Sequence, residues 1–310
     1  MKIIIVNSKQ DFSSDQLQTI KNLGDVNFIE TKEAFVNNKL FFSEDAKVIA
    51  LDPEISRWNF PNDFIDTIPN LKAICLPTTS FSWVDGAFLK SKKILLTNVP
   101  KYSTESVAEY AICLMLNVVK KIPLIIKNDG KLDCSKHLGG EVKGKIMGII
   151  GLGTIGHRIA ELGQQIGMKV VYWSKNTRDK MFDYRELDEV LKSADFIFPT
   201  VVKNEKTHQM LNKEKIDLLK PTAFIVSITG DEIFDLNYAA KKVKDSQLAG
   251  IAFESEKHTM TKHSLSEFEG NIWVTPPIAW YTKEALIEDM RIWIETVKSI
   301  CEGKPINVVN

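Results

Sequence analysis

Charge of one sign is missing from this chain: 40 Lys and Arg face 40 Asp and Glu among 310 residues, a formal net charge of zero. A surface without a dominant charge does not gather polyanions, so neither nucleic acid nor an acidic membrane is expected as a partner. Paired cysteines are missing too. Cys75, Cys113, Cys134 and Cys301 are scattered, with no C-x-x-C and no ligand spacing against the five histidines, so no metal is expected. Three of the four lie in apolar runs and read as small core residues in a reducing compartment. Long apolar runs are absent: the longest, around residues 111–119, is interrupted by Asn117 and cannot span a bilayer. Residues 1–6 are too short for a signal-peptide core and read as a first strand. Repeats, low-complexity segments and proline-rich linkers are lacking as well. A cytoplasmic globular protein is the expectation, and 310 residues, 44% of them hydrophobic, can fill two ordinary cores.

What the chain does have is concentrated at its centre. An apolar, strand-like run at residues 145–150 leads straight into Gly151-Leu152-Gly153-Thr154-Ile155-Gly156. Helical periodicity follows at Ile159, Leu162 and Ile166, then a second apolar run at residues 169–173. This is a βαβ unit with G-x-G-x-x-G at its first turn. Gly151 permits the tight turn, Gly153 lets the backbone approach a pyrophosphate, and Gly156 lets the helix pack closely on the strand. The helix start then offers free N–H groups and a positive dipole end to phosphates. A dinucleotide site is expected at Gly151, Gly153, Thr154, Ile155 and Gly156.

Around that unit, short apolar runs alternate with amphipathic segments. Residues 3–6, 26–29, 48–51, 71–76 and 94–97 read as strands, with helices at 15–23 and 84–91. After residue 145 the alternation restarts, with strands at 146–150, 170–173, 196–198, 224–227, 248–253 and 272–275. Helices are expected at 187–193, 213–219, 236–243 and 283–300. Such alternation implies parallel, doubly wound sheets: an α/β protein of two Rossmann-like or flavodoxin-like domains with a ligand cleft between them. Between the two sets a long helix opens near Ser103 or Ser106, both candidate N-caps. Its stripe of Val107, Ala111, Leu114 and Val118 continues through Leu116, Val119 and Ile122, more apolar surface than one packed face needs.

Several motifs, taken in order, resemble the D-isomer-specific 2-hydroxyacid dehydrogenases, relatives of glycerate and phosphoglycerate dehydrogenases. They are Thr97-Asn98-Val99-Pro100, Tyr102-Ser103-Thr104, Ser106-Val107-Ala108-Glu109, the glycine turn, the helix before Asp195, and Thr275-Pro276 with Ile278-Ala279 and Tyr281-Thr282. The resemblance covers essentially the whole chain. It implies a substrate-binding domain from residues 1–100 plus 283–310, an NAD(P)-binding domain at 101–282, and a homodimer built on the helix near Ser103. It also implies hydride transfer between a nicotinamide and a small 2-keto or 2-hydroxy acid, with Thr200, Ile228 and Thr229 joining the cofactor set.

The same resemblance exposes what is missing from the chemistry. The family grips the substrate carboxylate with an Arg and moves the carbonyl proton with a His that an acidic residue keeps charged. Here the Arg position reads Thr229 and the His position Pro277. The carboxylate position falls at His258 or Thr259, and the Asp ending the preceding strand reads Glu254. No Arg lies between Arg185 and Arg291, and no His follows His263. The replacement candidates are Lys101, standing where the family usually has a glycine, and His258, which Glu254 or Glu256 could orient. Trp280 replaces a small residue and either lines an apolar end of the pocket or is plain core. Where the family often holds the adenosine ribose with an Asp, this chain has Ser174, Lys175 and Arg178, which favours NADP over NAD. A weakened reductase, a non-catalytic dinucleotide-binding protein, and an enzyme of other chemistry led by Lys101 all remain open at this point.

Overall fold

The computed structural model describes residues 1–36, 38–257 and 267–310, and the chain divides into two compact units. The first holds Met1–Tyr102 and Lys283–Asn310; the second holds Ser103–Thr282.

The first unit is a five-stranded sheet of β1 (Lys2–Val6), β2 (Asp25–Ile29), β3 (Lys47–Leu51), β4 (Leu71–Cys75) and β5 (Leu95–Thr97). The order is β2-β1-β3-β4-β5 and every pairing is parallel, the flavodoxin-like arrangement. Strands covered on both faces need apolar residues on both, and β1 and β3 supply them: Ile4, Val6, Ile49 and Leu51 face one core while Ile3, Ile5, Val48 and Ala50 face the other. The C-terminal helix Lys283–Cys301 closes the second core with Trp293, Ile294, Val297 and Ile300. Trp293 is fully buried and donates its indole N–H to the Cys75 carbonyl at 2.9 Å, so its polar atom is satisfied where water cannot reach. The chain's last helix therefore belongs to its first unit.

The second unit is a seven-stranded sheet of β6 (Ile146–Ile150), β7 (Lys169–Trp173), β8 (Asp183–Tyr184), β9 (Phe196–Pro199), β10 (Phe224–Ser227), β11 (Gly250–Glu254) and β12 (Ile272–Thr275). Its order is β12-β11-β10-β9-β6-β7-β8, again all parallel. The strand order reverses between β6 and β9, the topological switch point where doubly wound sheets bind ligands. Two-residue β8 has too little apolar pattern to be seen in the sequence.

Three local expectations are corrected. Ser106 is not an N-cap: the long helix is Thr104–Val119, Ser103 occupies the cap position without a side-chain cap bond, and Ser106 is a buried residue inside the first turns. The apolar stripe is mostly packed rather than surplus: Val107, Ala111, Leu114, Val118 and Val119 are buried, only Leu116 stays exposed, and Ile122 begins a separate short helix, Ile122–Lys127. Of the cysteines only Cys75 is core; Cys113 and Cys134 are exposed and Cys301 is half-buried. No helix among the described residues is long and apolar enough to cross a membrane, and none of their His, Cys, Asp and Glu side chains form a metal-binding group.

Candidate dinucleotide and active site

The three glycines of the turn do three different jobs. Gly151 has φ +101°, a conformation that L side chains rarely adopt, and a Cβ there would meet Val201 at 2.8 Å. Gly156 is buried under the turn: a Cβ would collide with the Gly151 carbonyl oxygen and lie 2.6 Å from Thr200 Oγ1. Gly153 is the opposite case. Its backbone is extended, it occupies the N-cap of helix Thr154–Gln165 with no side-chain cap, and a Cβ there meets nothing within 4 Å. The open space above Gly153 and the uncapped helix start form a cradle that suits a pyrophosphate.

Thr200, at the end of β9, holds this turn in place. Its backbone N–H donates to Ile150 O at 2.8 Å, and its hydroxyl lies 2.5 Å from Gly151 O. Ile155 and Ile228 are partly buried against the core of the unit, and Thr154 opens the helix on the exposed side. Thr229 donates to Pro199 O at 3.1 Å, tying the end of β10 to the end of β9. In this geometry Thr200 and Thr229 serve first to fix the strand ends.

Beyond β7, Ser174 is buried and its Oγ accepts the Thr177 N–H at 3.3 Å. Arg178 lies over the Tyr184 ring, 3.7 Å from ring centre to guanidinium carbon, and donates to Ser174 O and Thr177 O at 2.8 and 3.0 Å. Stacking and two carbonyls hold the guanidinium flat at the end of the β6-β7-β8 half, with Lys175 exposed beside it.

At the other half, Glu254 ends β11. It is buried, and its Oε1 accepts the backbone N–H groups of Ile278 and Ala279 at 2.7 and 2.8 Å. Those bonds favour the carboxylate, but burial is the larger effect and pushes the carboxyl up to about 7. The segment it holds, Thr275–Tyr281, is tied down at two further points. Tyr110 donates to Thr275 Oγ1 at 2.8 Å, and Ser106 donates to the Ala279 carbonyl. Both come from the long helix Thr104–Val119. Pro276, Pro277 and Ile278 are left exposed, and Trp280 is 40% exposed, so it is not core; its ring meets Tyr281 at 5.2 Å, edge to face. Reading the sequence located Glu254 but missed Ser106 and Tyr110, whose partners lie far along the chain and leave no periodic trace.

Lys101 belongs to the first unit and has φ +64°, so a lysine here adopts the left-handed backbone that suits a glycine. His258 and Thr259 lie outside the described residues, and Glu256 is exposed.

The sequence profile of the D-isomer-specific 2-hydroxyacid dehydrogenases, NAD-binding domain, matches residues 112–279. The chain belongs to this family. A glyoxylate reductase of Aeropyrum pernix is 26% identical over 80% of this chain and 79% of its own length. One from Pyrococcus furiosus is 29% identical over 78% and 74%. Among solved structures, an acyclic imino acid reductase in complex with NADPH and D-Arg is 26% identical, covers both chains completely and superposes with a TM-score of 0.81. As a 2-hydroxyacid dehydrogenase relative this chain is a dehydrogenase-type oxidoreductase, and its cofactor is a nicotinamide dinucleotide. The cradle at Gly153 fits that cofactor, which supplies or accepts a hydride when bound.

Proposed function

We propose that this protein reduces the double-bonded carbon of a small 2-keto acid or a close analogue, using a family active site whose Arg and His have been replaced. The observation that carries the reading is the open cradle of Gly153 at the switch point, beside a polar edge formed by Thr200, Thr229 and Glu254. Glyoxylate reductases and an imino acid reductase stand among its relatives, so the acceptor class is a C=O or C=N carbon. Lys101, Glu254 and His258 are the groups assigned to substrate binding and proton handling. Losing an acid–base group slows proton-dependent chemistry by about 10²–10⁴-fold, so ordinary keto acids should turn over slowly. Fluorescence titration with NADH and NADPH, then a keto-acid panel at saturating cofactor, tests this. Failure of both cofactors to bind overturns it; binding without turnover of any acceptor returns the protein to the non-catalytic alternative.

The cofactor assignment favours NADP, because the Arg178 plane held over Tyr184 is pre-organised for a 2′-phosphate. Arg178→Ala should lower the NADPH-to-NADH affinity ratio by roughly tenfold, the worth of one charge-assisted contact; an unchanged ratio would remove the preference. The protein is assigned to the cytoplasm, where exposed Cys113 and Cys134 stay reduced. A homodimer is assigned to the exposed Leu116, Ile126, Leu132 and Leu138. Light scattering should give twice the 35.1 kDa of one chain, and a monomer mass at micromolar concentration would refute the assembly.

A further inference from the structure

We propose that the acceptor is a protonated imine of a 2-keto acid, whose reacting C=N group is cationic, rather than the keto acid itself. This rests on the reductase reading above and selects its substrate class. A ketone reduced by hydride becomes an alkoxide, which needs a proton at oxygen during the step; that is the work of an imidazolium. An iminium already carries its proton. A hydride from the reduced dinucleotide forms the new C–H bond, the C=N electron pair moves to nitrogen, and the dinucleotide is left oxidised. The neutral amine then takes a proton from water to become ammonium. No protein acid is required, and Pro277 at the family's His position offers none.

What the iminium does need is stabilisation of positive charge until hydride arrives, and this edge of the sheet supplies it twice. Glu254 is the buried carboxyl at the ends of β10–β12, and both N–H bonds fall on Oε1. Its other oxygen accepts no hydrogen bond among the described residues, so the carboxylate keeps a free lobe for an N–H⁺ donor. A cation beside it also favours its ionised form, against the desolvation that otherwise holds the proton. The second source is aromatic. Trp280 and Tyr281 project from a segment pinned by Glu254, Ser106 and Tyr110, and an indole face attracts a cation through its quadrupole. A pinned segment presents those faces in one place, which a mobile loop would not. The uncharged carbonyl of a keto acid gains from neither feature. A carboxylate and aromatic faces in place of a guanidinium and an imidazole suit an acceptor whose reacting group is positively charged.

The full chain should be assayed for NADPH oxidation with pyruvate alone, with pyruvate plus methylamine, and with a preformed cyclic 2-imino acid, products being identified by mass spectrometry. The expected result is a rate at least about tenfold higher with amine than without, giving N-methylalanine rather than lactate. Glu254→Gln keeps an oxygen for the two backbone N–H groups but removes the charge. It should cut the imine rate by about tenfold or more, as loss of one partner of a buried charge pair does, while NADPH affinity stays unchanged. Trp280→Leu, at an exposed position, should raise the KM for the imine several-fold while NADPH affinity stays unchanged. Lactate formed from pyruvate alone as fast as the amine product forms would overturn the imine assignment and leave the reductase standing. NADPH bound but oxidised by no imine would overturn it as well. Failure to bind either dinucleotide would instead remove the reductase reading itself.

Discussion

Gly153 and Gly156 are three residues apart, share a motif, and respond to a side chain in opposite ways. A Cβ on Gly153 enters open space from an extended backbone that any residue adopts. Gly153→Val should therefore fold with a melting temperature close to the parent's and yet lose at least about 100-fold in dinucleotide affinity, since its methyls occupy the phosphate's approach. A Cβ on Gly156 instead runs into the Gly151 carbonyl and Thr200, neither of which can move without dismantling the turn. Gly156→Ala should destabilise by about 1–3 kcal/mol, the usual cost of overpacking. Thermal unfolding and NADPH titration of the two variants separate the roles. A folded Gly153→Val protein that binds as well as the parent would show that phosphate does not sit there.

At the scale of elements, what the sequence revealed and what it hid follow from the same physics. Strands buried on both faces are continuous apolar runs, so β1, β3, β6 and β10 could be placed nearly to the residue. The glycine turn could be placed because its backbone demands are local. Elements without such patterns escaped: β8 has two residues, whereas the long helix starts directly after Ser103, one of its two candidate caps. The ties on Thr275–Tyr281 were hidden for another reason. Ser106 and Ala279 are 173 positions apart, and Tyr110 and Thr275 are 165 apart, so their pairing exists only once helix and sheet have packed. Serine at 106 looked like a cap because local hydrogen bonding is the commoner use of a serine near a helix start. If these bonds hold the segment, Tyr110→Phe and Ser106→Ala should each cost about 1 kcal/mol in unfolding. Together they should also raise amide hydrogen exchange at Ile278 and Ala279, while leaving the cofactor's affinity intact. Unchanged exchange at those two amides would mean that Glu254 alone suffices.

For the molecule as a whole, zero net charge removes general self-repulsion as a source of pH dependence near neutrality, and leaves a few buried acids in control. Each unit has one. In the second it is Glu254, raised to about 7 by burial. In the first it is Asp289 on the C-terminal helix, 7% exposed, with Oδ1 lacking any hydrogen-bond partner. Burial, reinforced by the Asp52 carboxylate nearby, pushes Asp289 up to about 8. Asp52 is itself raised by burial, with Glu54 and Asp11 adding to the effect and its helix-capping bonds opposing it. A carboxyl raised on folding binds its proton more tightly in the folded state. Its stabilising contribution is complete below the unfolded value near 4 and is lost as pH rises through the folded value. Surface carboxylates such as Glu105, Asp217 and Glu288, lowered by hydrogen bonds to Arg158, Lys242 and Arg291, act the other way, but only at pH values below the ordinary carboxylate range. Stability should therefore peak near pH 5 and fall toward pH 8.5, the loss from Glu254 ending earlier than that from Asp289. Asp289→Asn is neutral throughout. It should raise the melting temperature of the first unit at pH 8.5 by about 2 °C or more, the equivalent of roughly 1 kcal/mol for a chain of this size. At pH 5, where Asp289 keeps its proton anyway, the substitution should change little. A variant that melts in parallel with the parent across this range would mean that Asp289 gives up its proton as easily folded as unfolded, and that the unpartnered oxygen reaches water after all.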